Sequence, residues 1–259
     1  MKVRVTMIIA LTTIALALFL GLKLGKKKTD NKQMEKTMTQ TDKTTIAKRV
    51  LNLIILDESG SMYGLEKASV DGVNETIQTI KSSYEQLPEQ EQLLTFVTFS
   101  NRGDSFCRTK VKLAPITEVG EFKPSDYQPN GCTPLYDTMG LTLTEMEEVA
   151  TESDIVLVTI ITDGYENSSR KYDYEKIKRL VSRLDEKDWV FTYIGANQDA
   201  ILEAGKMGIR NAMNYCADED GTREMWEKEK RARTDFMTGA RRGVSAKYLK
   251  EDYFKQEDN

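Results

Sequence analysis

The chain has 259 residues, 39% hydrophobic and 30% charged, which suits one large globular domain or two small ones. Its net charge of −4, with no interleaving of basic and aromatic residues, argues against a nucleic-acid partner. It has no histidine, which excludes Ser-His-Asp and Cys-His nucleophile systems and histidine-ligated zinc or iron.

Any metal must therefore be held by oxygens or by Cys107, Cys132 and Cys216. Those three are too scattered for a CxxC pattern, and we read them as reduced structural thiols.

After a short basic N-terminus (1–4), the run Val5 to Leu22 is apolar and carries no charge. At about 1.5 Å per residue it just crosses a hydrocarbon core of roughly 30 Å. A cleaved signal peptide is the competing reading. The run is long for a signal core, and GLKLGKKK offers no small-x-small cleavage site, so a retained single-pass anchor is preferred. The lysines that follow favour a body on the cytoplasmic side, although the basic N-terminus opposes this. Residues 23–48 are rich in Lys, Thr, Asp and Gln and form a polar linker.

From residue 49 the pattern alternates. Val50 to Leu56 is a buried strand, closed by the turn-like DESGSMYG. Val70, Val73, Ile77, Ile80, Tyr84 and Leu87 recur at helical spacing and place one apolar stripe against a sheet. Leu93 to Phe99 is a second strand. Ser105 to Leu113 is a third, paired with it through the turn at Asn101–Asp104. Pro134 opens a helix to about Ala150, and Ile155 to Ile161 is the central strand. A helix at Tyr172 to Leu184, a strand at Trp189 to Ile194, a short helix at Ala200 to Met207 and a strand at Ala212 to Cys216 follow. A charged helix with Trp226 begins at Asp218, and 245–259 is a charged tail whose Tyr248, Tyr253 and Phe254 leave docking on the body open. Strands separated by helices need crossovers. The expected fold is therefore Rossmann-like α/β: a mainly parallel sheet of about six strands, one antiparallel edge strand, and helices on both faces.

In such a sheet, ligands bind at the carboxyl ends of the strands, near the point where strand order reverses. Three loops there carry oxygen side chains. Asp57-Glu58-Ser59-Gly60-Ser61-Met62 ends the first strand, Gly131-Cys132-Thr133-Pro134-Leu135-Tyr136-Asp137 opens the helix, and Thr162-Asp163-Gly164 ends the central strand. Together they resemble the metal-ion-dependent adhesion site of the von Willebrand factor A (vWA) family. The resemblance runs from about Val50 to Cys216, within a domain spanning 49–244. The residue chemistry agrees: Mg2+ takes six oxygens and keeps some of its waters. Asp57 and Asp163 supply charge. The hydroxyls of Ser59, Ser61 and Thr133 coordinate without cancelling it, which leaves the ion able to hold an incoming carboxylate. The resemblance implies that Ser59, Ser61 and Thr133 touch the Mg2+ (or Mn2+) directly and that the two aspartates act largely through water. Thr133 and Asp163 would exchange roles when ligand binds.

Taken singly, Ser59 and Ser61 are ordinary helix caps, Thr133-Pro134 an ordinary helix start and Asp163-Gly164 a common turn. Their convergence favours the metal. Glu58 reads as solvated, and Met62, Tyr63, Tyr136, Tyr165 and Asn167 form a rim. The function expected is non-enzymatic capture of Asp or Glu on a partner protein, with no small-molecule substrate. The alternative is a Mg-dependent phosphohydrolase of haloacid-dehalogenase type with Asp57 as nucleophile. That chemistry needs a second aspartate at position 59, where Ser59 stands.

Overall fold

A computed structural model of the chain describes residues 49–196 and 200–254. The expected anchor at 5–22 and linker at 23–48 lie outside the described residues. Among the described residues no helix is long and apolar enough to cross a membrane.

The elements follow the alternation in chain order: β1 (Arg49–Asp57), α1 (Glu66–Gln86), β2 (Glu91–Phe99), β3 (Cys107–Pro115), α2 (Leu135–Val149), β4 (Ile155–Thr162), α3 (Tyr174–Asp185), β5 (Val190–Ala196), α4 (Ala200–Lys206), β6 (Asn211–Tyr215), α5 (Glu219–Arg241) and α6 (Ala246–Leu249). The six strands form one sheet in the order β3-β2-β1-β4-β5-β6. All neighbours are parallel except β2 and β3, which the short turn between them leaves antiparallel at the edge.

The first strand shows why the sheet is covered on both sides. Leu51, Leu53 and Ile55 enter one core cluster, and Ile54 and Leu56 enter the other. Successive side chains point to opposite faces, so an unbroken apolar run needs helices on both. Helices α2, α3 and α4 cover the first face through Leu135, Met139, Ile177, Val181 and Ala204. Helices α1 and α5 cover the second through Val70, Val73, Ile77, Met225 and Trp226.

One detail differs from expectation: Pro134 is the N-cap of α2 rather than its first helical residue. The docking left open for the tail is seen in its described part, 245–254, where Tyr253 is buried against Phe236 and Lys250 Nζ donates to Asp185 O at 2.6 Å.

Candidate metal centre at the carboxyl edge of the sheet

Strand order reverses at β1, which lies between β2 and β4, and the crevice there receives the ends of β1 and β4. Asp57 is the last residue of β1, and Asp163 directly follows β4. The parallel pairing of the two strands fixes both carboxylates at the same edge. The loop after Asp57 makes one turn of 3-10 helix at Gly60–Met62. Gly60 N donates to Gly131 O at 2.9 Å, and Asn130 N donates to Glu58 O at 2.9 Å, which joins the first loop to the second. The second loop is joined to the third: Thr133 N donates to Asn167 Oδ1 at 2.8 Å, and Asn167 N donates to Thr133 O at 3.2 Å.

These ties bring the five predicted oxygen-bearing residues into one neighbourhood. Ser59 Oγ and Ser61 Oγ are 3.1 Å apart, and Ser61 Oγ donates to Asp163 Oδ1 at 2.6 Å. Asp57 Oδ1 accepts from Ser59 N at 2.7 Å, and its Oδ2 accepts from Thr162 Oγ1 at 2.6 Å. A Cβ added to Gly164 would lie 3.4 Å from both Ser61 Oγ and Thr133 Oγ1. The glycine thus keeps open the space that those two hydroxyls line. Neither Ser59 as N-cap of the 3-10 turn nor Pro134 as N-cap of α2 makes a side-chain capping bond. The capping explanation for the Ser59 hydroxyl therefore fails.

The electrostatics favour a cation. Asp57, Ser59, Thr133 and Asp163 are buried, while Ser61 is exposed. Burial pushes the Asp57 carboxyl up to about 7, against the lowering effect of its bonds to Thr162 and Ser59; the nearby Asp163 charge adds to the rise. Asp163 is raised as well, again chiefly by burial. Two desolvated carboxylates and three hydroxyls are a hard, oxygen-only donor set that fits Mg2+ or Mn2+. Among the described residues no group of three or more His, Cys, Asp or Glu could hold a metal, so a site here depends on the hydroxyls.

Two expectations need correction. Glu58 is buried, not solvated: Thr98 Oγ1 donates to its Oε2 at 2.6 Å, Arg108 Nε at 3.1 Å, and Gln128 N to its Oε1 at 2.8 Å. These bonds hold its carboxyl below the usual range even though burial alone would raise it. Met62 is not on the rim. The 3-10 turn directs its side chain into the cluster with Leu65 and Val70. Tyr63 (80% exposed) and Tyr165 (54%) do stand at the surface, Asn167 is exposed, and Tyr136 is half-buried against the core.

Several supporting residues were given no role by the sequence reading. Tyr127 Oη donates to Asp57 O at 2.6 Å. Asp137 accepts from the backbone N–H groups of Arg170, Lys171 and Tyr172, and Glu166 accepts from Tyr136 N. Thr162 and Asp137 stood within the quoted motifs. Tyr127 and Glu166 are identified only by where the chain returns in space.

A scan against models of protein families finds no match, and neither does a search of curated proteins. Solved structures do match. The pilus adhesin SpaC from Lactobacillus rhamnosus GG, in its open conformation, aligns with a TM-score of 0.54 at 14% identity, covering 73% of this chain and 30% of that one. The SpRpn10 VWA domain aligns with a TM-score of 0.49 at 12% identity, covering 68% and 92%. The chain shares its fold with the matched part of SpaC. At such identities the likeness concerns the fold alone, and the chain spans less than a third of SpaC.

Proposed function

We propose that this vWA-like domain is a non-enzymatic binding module that holds one Mg2+ or Mn2+ among Asp57, Ser59, Ser61, Thr133 and Asp163. With it the module captures an Asp or Glu side chain of a partner protein. The observation that carries the proposal is the meeting of three hydroxyls and two buried carboxylates from three loops at the switch-point crevice. Hydroxyl ligands leave the ion's charge largely uncancelled, and that residual charge would attract a carboxylate. Tyr63, Tyr165 and Asn167 would contact the partner around it. The segment 5–22 would tether the domain to a membrane, with the domain on its cytoplasmic side. SpaC, which shares the fold, is itself an adhesin.

The chain's own residues would prepare this site in two ways. The ties from Gly60 to Gly131 and from Thr133 to Asn167 hold the three loops in register before any ion arrives. Thr162 and Ser59 N orient Asp57. A bound ion would supply the Lewis acidity.

The test is a thermal melt of the full chain in millimolar Mg2+ and in EDTA. An ion at a hundred times its Kd contributes about 2.7 kcal/mol, so the Mg2+ melt is expected to be higher, and Asp163→Ala is expected to lose the difference while still folding. A partner retained from native membranes is expected to elute with EDTA and to be absent from Asp163→Ala. Identical melts in Mg2+ and EDTA for the unaltered chain would refute the metal site.

A further inference from the structure

The hairpin between β2 and β3 rises from the edge of the sheet that holds the candidate metal centre. Its first strand ends at Phe99, which pairs with Asp57, so residues 100–106 start level with that aspartate. Ser100 N donates to Phe106 O at 3.0 Å and closes the loop. Asn101 fastens it to the second metal loop: its Oδ1 accepts from Cys132 N at 2.7 Å, and its own N donates to Cys132 O at 3.1 Å. Beyond Asn101 the sequence runs Arg102-Gly103-Asp104-Ser105. Gly103 has φ +70° and nothing within 4 Å of an added Cβ, so it turns the chain at a tip in open space.

The charges at this tip are unequally matched. Arg102 turns back to the body: its Nη1 donates to Gln128 O at 3.0 Å, and its Nη2 lies 4.0 Å from Glu58 Oε1. Asp104 is exposed, and among the described residues its carboxylate has no hydrogen-bond or ion-pair partner. One edge of the molecule therefore carries both a cation crevice that calls for an outside carboxylate and a projecting carboxylate without a cation. A surface that holds both members of a pair is self-complementary. A twofold axis in the plane of contact, midway between the two, lays each on its opposite member in a second copy, whatever their separation, and both links form at once.

We propose that the partner of the metal centre is a second copy of this chain, whose Asp104 supplies the carboxylate, in a twofold dimer with a cation–carboxylate link at each centre. The proposal rests on the cation-binding reading of Asp57, Ser59, Ser61, Thr133 and Asp163 and names the occupant of that site. A single carboxylate contact is weak by itself. In a closed pair the second link forms within the complex, which raises the strength of both together. Tyr63 (80% exposed) and Tyr165 (54%) follow the ends of β1 and β4 at the same edge, and the pairing covers aromatic surface that otherwise faces water.

The experiment measures the protein mass of the detergent-solubilised full chain by light scattering on a sizing column, in Mg2+ and in EDTA, with thermal melts in the same buffers. Asp104→Asn and Asp163→Ala are run alone and mixed. The unaltered chain is expected to be a dimer in Mg2+ and a monomer in EDTA. Asp104→Asn is expected to keep its melt in EDTA and its rise with Mg2+, but to dimerise about thirtyfold or more weakly, as loss of one member of a charged contact does. Asp163→Ala, which lacks the cation but keeps Asp104, is expected to be monomeric. A mixture of the two variants retains one intact link and is expected to pair more tightly than either alone. Equal dimerisation by Asp104→Asn and the unaltered chain, a dimer that persists in EDTA, or no gain on mixing would overturn the proposal and leave the cation site standing. So would an unaltered chain that stays monomeric while Mg2+ raises its melt. A melt indifferent to Mg2+ would overturn both this proposal and the reading beneath it.

Discussion

Asp57 has no exposed surface, and although Thr162 and Ser59 donate to it, a second carboxylate lies nearby. Desolvation outweighs the bonds and lifts its carboxyl to about 7. Between its unfolded value near 4 and this folded value, the native state keeps a proton that the unfolded chain releases. In the metal-free protein, stability is therefore lost as pH rises through that window, by roughly 4 kcal/mol from this group once pH passes 7. The difference between the unaltered chain and Asp57→Asn isolates the effect. In EDTA, Asp57→Asn is expected to be the more stable protein above pH 7 and to gain nothing from Mg2+. Urea titrations from pH 4 to 8 check this, and a gap between the two proteins that does not grow with pH would contradict it. The candidate donors were named from three short loop motifs that together resemble a known site, whereas their meeting rests on ties as distant as Ser61 to Asp163. Glu58 and Met62 were misread because a loop residue's direction depends on what packs against it: Arg108 and Thr98 for the first, the α1 side of the core for the second.

Helices α1 and α5 meet at Gly72, where an added Cβ would overlap the indole of Trp226. An alanine favours a helix interior by up to about 1 kcal/mol over glycine. Here the clash is with a ring that is itself buried and cannot swing away. Gly72→Ala is expected to destabilise the protein by about 1–3 kcal/mol, the usual cost of overpacking. Gly205 on α4 has open space around its Cα, so Gly205→Ala is the control, expected to be neutral or stabilising. Equal effects of the two in a urea melt would contradict the close approach. Element positions were legible because apolar periods of two and of three to four recur in separate windows. The six strands fall within a few residues of their predicted limits. Helix limits shifted by similar amounts, as at α3, which starts at Tyr174 because Asp173 caps it by accepting from Lys176 N. The glycine–tryptophan contact was not legible, since residues 72 and 226 share no local pattern.

Across the whole molecule, a buried polar network joins early and late parts of the chain. Arg233 on α5 donates to Glu229 Oε1 at 2.8 Å, to Asn52 Oδ1 on β1 at 2.8 Å and to Thr159 Oγ1 on β4 at 2.9 Å. Tyr253 Oη donates to the same Glu229 oxygen at 3.4 Å. Both charged residues are fully buried, so removing one leaves the other uncompensated. Arg233→Met is expected to cost about 3–5 kcal/mol in urea denaturation, and adding Glu229→Met to recover much of it. A loss below about 1 kcal/mol from the single change would contradict that account. What the sequence by itself determined is the alternation of strands and helices and the single antiparallel hairpin, because each is set by neighbours a few positions away. Only the tertiary structure decided that β1 lies between β2 and β4, that Arg233 is spent inside the fold, and that Tyr127 reaches the backbone of Asp57. Those outcomes depend on segments tens to hundreds of residues apart competing for one buried space, and no short window of sequence records that competition.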